Sequence, residues 1–91
     1  MLSVEWLIRH SVKPCLVEDN ELPYLDKVFD SRGTRTISFI YRSEIYVIPY
    51  RKAIIEFLIE QGFQHCSIEN LYYSDTQARR LRKLRKEFSN L

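Results

Sequence analysis

Two short runs, Thr36-Ile37-Ser38-Phe39-Ile40-Tyr41 and Glu44-Ile45-Tyr46-Val47-Ile48, are rich in β-branched and aromatic residues, and only Arg42-Ser43 separates them. Such runs suit a pleated, half-buried strand. So short a separation makes an antiparallel hairpin the natural connection. Arg42-Ser43 is not a favoured two-residue turn, because neither residue prefers the positive φ that such turns need. A four-residue loop from Tyr41 to Glu44 keeps the same register. Ile40 then faces Ile45, Phe39 faces Tyr46, and Ile37 faces Ile48. Ile37, Phe39, Tyr46 and Ile48 share one face; Ile40, Ile45 and Val47 share the other. Apolar side chains on both faces mean that the ribbon is covered twice, or that one side is a binding surface.

Helical patterns surround the hairpin. Ser3 can cap a first helix running to about Ser11, with Val4, Leu7 and Ile8 on one side and Glu5 and Arg9 on the other. Pro14 cannot continue it. Arg51 to Gln61 reads as a central helix. Ala53, Ile54, Ile55, Phe57, Leu58 and Ile59 cover most of its circumference, which predicts burial on several sides. Gly62 is placed to end it in the left-handed conformation, with Phe63 packing back. Ser74 and Gln77 have the spacing of a capping box. The last helix then runs from about Asp75 to Ser89, and Ala78, Leu81, Leu84, Phe88 and Leu91 form an apolar stripe about 140° wide at 100° per residue.

Other stretches are less definite. Cys15-Leu16-Val17 suits a short strand, and Glu18 to Glu21 an acidic turn. Leu22 to Phe29 suits a short helix or an irregular packed segment. Asp30 to Gly33 reads as a turn. Gln64 to Tyr73 fits either a third strand through Cys66-Ser67-Ile68 or a helical turn. The expected fold class is α+β: a small antiparallel β-hairpin or three-stranded sheet packed on a central helix, with flanking N- and C-terminal helices. Ninety-one residues make residues 1–91 a single small domain. With only two Gly and three Pro, connections are short and disorder is disfavoured. Dimerisation, or docking on a larger partner, would be unsurprising at this size.

Charge is distributed unevenly. Six of the fourteen Lys and Arg residues lie between Asp75 and Leu91: Arg79, Arg80, Arg82, Lys83, Arg85 and Lys86. Asp75 and Glu87 alone oppose them, so this segment carries +4 while the preceding residues carry −2. A near-neutral body with a basic end points to a polyanionic or acidic partner. Basic side chains on a helix can neutralise phosphates and release counterions, which gives affinity without sequence preference. The expectation is therefore a small non-enzymatic nucleic-acid-binding protein, for DNA or RNA, in an accessory or regulatory role. Arg42, Arg51 and Lys52 are secondary contacts, and Tyr41, Tyr46 and Tyr50 beside them are candidates for stacking on unpaired bases. The bland alternatives are a solvated helix face and ordinary cross-strand tyrosines.

Leu81, Leu84 and Phe88, with Leu91, also have the 3-4-3 spacing of a helix-pair seam. This supports a second reading, an adaptor or inhibitor that docks its C-terminal helix on an acidic protein. A small ribonuclease-like enzyme is a third. No Gly-rich phosphate loop, metalloprotease helix motif or nucleophile elbow occurs. His10, Cys15, His65 and Cys66 are spaced poorly for zinc, because adjacent His65-Cys66 strains joint ligation. No cofactor or metal is expected. Two cysteines, no secretory signal pattern and no apolar run near the roughly 18–20 residues of a membrane span make the cytoplasm the expected compartment, with no membrane partner.

Overall fold

The computed structural model describes residues 2–16, 28–30, 35–66 and 71–91. The chain mixes helix and strand around a two-stranded antiparallel hairpin, as an α+β sequence should. Helix α1 spans Val4–Arg9. Ser3 caps it, its Oγ accepting from the Trp6 N–H at 3.0 Å. The helix stops two residues earlier than the sequence suggests. Ser11 instead turns its hydroxyl back to Ile8 O at 2.6 Å, and Val12 joins a sheet edge.

Strands β1 (Cys15–Leu16) and β2 (Val28–Asp30) pair with opposite edges of a later strand, β5 (Leu71–Ser74). Val28–Asp30 thus form a strand where the sequence suggests the end of a short helix or irregular packed segment, followed by a turn. The partner is distant in sequence, so no local signal could report it. The acidic turn expected at Glu18–Glu21 and most of Leu22–Gly33 lie outside the described residues, as do Ser67 and Ile68.

The hairpin is β3 (Thr36–Tyr41) and β4 (Glu44–Pro49), in the register read from the sequence: Ile37 with Ile48, Phe39 with Tyr46, Ile40 with Ile45. Its turn is a correction. Arg42 and Ser43 form a two-residue turn after all, at φ +50° and +65°. Both φ angles are positive, as a twist-matched two-residue turn demands. The cross-strand contacts outweigh the left-handed strain, which is roughly 1–2 kcal/mol per residue. Single bridges extend both edges. Val12 and Val47 exchange two hydrogen bonds of 2.9 Å on the β4 side. On the β3 side the Cys66 N–H donates to Ser38 O at 3.0 Å, and Ser38 Oγ donates back to Cys66 O.

Helix α2 spans Lys52–Glu60 and α3 spans Asp75–Phe88. Gly62, at φ +86°, closes α2: the Phe63 N–H donates to Leu58 O and the Gly62 N–H to Ile59 O. Ser74 and Gln77 complete the capping box of α3. One face of the hairpin packs Ile37, Phe39 and Ile48 against Leu7 of α1, Ile54 and Leu58 of α2, and Leu84 and Phe88 of α3. On the opposite face Val47 meets Val12, Tyr73 and Leu81. That face is open toward the turn, where Ile40 is exposed. The expectation that α2 is buried on several sides fails: only Ile54 and Leu58 are buried, and Ile59 is 60% exposed.

Tyr73 is fully buried, and its hydroxyl finds no hydrogen-bond partner. Burial pushes its pKa up to about 12, the negative charge of neighbouring Cys15 adds to the rise, and Thr36 offsets only part of it without reaching bonding geometry.

Candidate nucleic-acid interface

The basic helix is positioned by its apolar stripe. Leu81, Leu84 and Phe88 are buried at 3, 2 and 0% exposure. They lie within the chain's own core and offer no surface to a partner, which removes them as partner-binding residues. At 100° per residue, Arg79, Arg82, Lys83 and Lys86 fall opposite that stripe, at i, i+3, i+4 and i+7. All four are exposed. Seven residues at 1.5 Å each make the cationic row about 10 Å long. Among the described residues, no carboxylate stands within ion-pair distance of these four or of Arg85; the ion pair there is Lys13 with Glu44, at 3.4 Å and well exposed. The Arg79 Nε–H donates only to Asp75 O, a long 3.4 Å bond in its own helix.

Arg80 differs from its neighbours. Its Nε–H donates to Ser11 O at 3.2 Å and its Nη2–H to Arg9 O at 2.5 Å. Those carbonyls lie at and just beyond the end of α1, where backbone acceptors lack helical partners and the dipole favours a cation. Arg80 therefore fastens α1 to α3. Gln77 does the same one turn earlier: its Nε2–H donates to Lys13 O at 2.5 Å while its Oε1 accepts from the Ser74 N–H and, at 3.5 Å, from the Cys15 thiol. These bonds bring Arg9 and Lys13 alongside the first turns of α3. The sequence reading missed both, because their neighbours on α3 stand 64 to 71 residues away.

The secondary candidates do not gather at one place. Arg51 donates through Nη2 to Ser89 O at 3.3 Å and to Leu91 O at 2.8 Å, so it binds the carbonyl end of the α3 segment. With Lys52, Ala53 and Glu56 it lines an open depression of about 450 Å³ at the start of α2. Arg42 stands at the other end of β4, at the hairpin turn, roughly 17 Å along the strand at about 3.4 Å per residue. Its guanidinium lies 5.1 Å from the Tyr41 ring centre. The tyrosine rings are largely engaged. Tyr46 stacks on Phe39 at 5.7 Å, and Tyr41 tilts against Phe63 at 5.9 Å. Tyr50 is exposed but carries the Arg35 guanidinium at 4.2 Å from its centre.

His10 stacks on Trp6 at 4.0 Å, and its Nδ1 lies 2.8 Å from Trp6 O, a structural role at the end of α1. No group of three or more potential metal ligands occurs among the described residues. No helix among them is long and apolar enough to cross a membrane. Comparison of the chain with protein-family models, with curated proteins and with solved structures found no match.

Proposed function

We propose that this chain is a small, non-enzymatic nucleic-acid-binding module that lays the outer face of α3 along a phosphate backbone. One observation carries the reading: Arg79, Arg82, Lys83 and Lys86 form a single exposed row without carboxylate partners among the described residues. Duplex DNA presents one negative charge per about 1.7 Å of its axis, so a 10 Å row spans several phosphates. The hairpin and the helices packed on it act as the platform that holds this row in place. Contacts of this kind position a protein without reading bases, so little sequence preference is expected. On this reading the chain acts in an accessory or regulatory role.

The test is binding of labelled DNA and RNA duplexes and single strands across a salt series. Four phosphate contacts give a slope of log affinity against log salt of about −3.6 for duplex DNA and about −2.8 for single strands. Charge reversal of Arg79, Arg82, Lys83 and Lys86 to Glu is expected to abolish binding while circular dichroism stays unchanged. Undiminished binding by that variant would sink the assignment to α3. Arg80→Ala is expected to lower stability more than affinity, because its guanidinium is spent on α1.

A further inference from the structure

The basic face of α3 is not uniform. Arg82, Arg85 and Lys86, with Ser89 at the rim, line an open depression of about 370 Å³. Arg79 and Lys83 belong to the exposed row but not to this concavity. The lining residues recur at i, i+3, i+4 and i+7, so they rise from one side of the helix. Three cationic side chains border it, and no carboxylate among the described residues answers them. Their mutual repulsion is relieved by an anion seated between them.

Two details favour an anion further. The carbonyl end of a helix ordinarily repels negative charge. Here Arg51 occupies Ser89 O and Leu91 O, so a guanidinium meets that end. Ser89 itself is not a ligand donor, because its Oγ–H is committed to Lys86 O at 2.6 Å. The recognising groups are therefore two guanidinium forks and one ammonium.

That set matches a particular kind of phosphate. A phosphodiester carries one charge, which would leave two of the three cations uncompensated. A phosphomonoester carries about −1.5 to −2 charges and three terminal oxygens. Arginine takes phosphate oxygens in pairs and lysine acts as a point charge. The depression is open to solvent, which leaves room for the attached sugar. We infer that the depression formed by Arg82, Arg85 and Lys86 is a phosphomonoester site, which takes the terminal phosphate of a nucleic-acid strand or of a free nucleotide. The inference rests on the reading of α3 as a nucleic-acid-binding face and gives that face a polarity: the row runs along the backbone, and the depression holds its end.

The experiment compares one twelve-nucleotide single strand in three forms: 5′-phosphorylated, 3′-phosphorylated and without a terminal phosphate. Affinities are measured by fluorescence anisotropy at fixed salt. At least one phosphorylated form is expected to bind about five- to tenfold more tightly, the effect of a charge-assisted contact. Arg85→Ala is expected to erase that preference and leave the unphosphorylated strand nearly unaffected. Arg79→Ala is expected to weaken all three forms alike. Equal binding of the three forms by the unaltered protein would overturn the phosphomonoester site while leaving the nucleic-acid reading intact. Failure to bind any strand would sink that reading instead. The site is then judged by titrating inorganic phosphate and adenosine monophosphate and following backbone amide shifts. Shifts confined to residues 82–89 and lost in Arg85→Ala sustain it with a free nucleotide as the source; no shifts dispose of it.

Discussion

Helices α2 and α3 flank the same hairpin, and they are built on opposite plans. In α2 the apolar residues run almost all the way round, yet only Ile54 and Leu58 are buried, and Ile59 is 60% exposed. In α3 the apolar residues are few and confined to one stripe, yet Leu81, Leu84 and Phe88 are all buried. The difference extends to the ends. A full capping box starts α3, whereas Arg51 gives α2 no side-chain cap. Apolar content alone does not say how deeply a helix sits. A sharp boundary between apolar and charged faces does, because only one orientation then keeps every charge in water. With six apolar candidates in α2, the hairpin and α1 chose which two to cover.

This contrast can be broken at its strong end first. Phe88→Ala removes a fully buried ring from the stripe and is expected to cost about 3–5 kcal/mol in a urea denaturation. A cost below about 1 kcal/mol would mean that α3 is not seated on the hairpin as described.

The buried tyrosine beside Leu81 gives the next effect. Its pKa of about 12 lies above the usual value near 10, so the folded state favours the neutral hydroxyl. That contribution is complete below about pH 10 and is lost as pH rises toward 12, at no more than about 1.4 kcal/mol per pH unit. Tyr73→Phe is expected to be neutral or stabilising at pH 8, because the hydroxyl has no partner to lose. It should also flatten the decline in denaturation midpoint between pH 9.5 and 11. A variant that declines as steeply as the parent refutes the assignment to Tyr73.

Smaller effects test the helix ends and the turn. Ser74→Ala is expected to cost about 1 kcal/mol by removing the cap of α3; a neutral result would show that the packed stripe alone holds the first turn. Ser43→Gly is expected to add roughly 0.5–1 kcal/mol, from left-handed strain relieved less the extra unfolded-chain entropy of glycine. Destabilisation there would mean that the turn changes conformation. At the weak end, Ile59→Ser on the open side of α2 is expected to lie within about 0.5 kcal/mol of the parent. A loss above about 2 kcal/mol would reveal that this side is covered in solution.

Much of the fold was legible because its signals are local. The register of Ile37 with Ile48 follows from the two-residue separation and the side-chain period of a strand. The cap at Ser74, the stop at Gly62 and the stripe of Leu81, Leu84 and Phe88 each lie within one element or one turn. The two-residue turn was misjudged for an energetic reason: six paired residues on each strand outweighed the dislike of Arg42 and Ser43 for positive φ. Strand β2 was missed because the edge that it joins is some forty residues away. The six basic residues of the tail were legible as a group, but their division of labour was not. Arg80 and Arg85 both stand off the centre of the row, on opposite flanks of α3. The first meets the end of α1 and becomes a fastener, whereas the second meets no carboxylate among the described residues.

By itself the sequence determined that the chain combines a hairpin with helices, which residues pair across it, and that positive charge collects on the side of the last helix away from its apolar stripe. These depend on spacing and intrinsic preference within a few residues. Tertiary structure alone decided which apolar side chains of α2 stay in water, that Arg51 and Arg80 serve backbone carbonyls, and that Arg82, Arg85 and Lys86 border a common depression. Those outcomes depend on which distant surface comes to lie beside each side chain, and long-range packing fixes that after the local pattern has been satisfied.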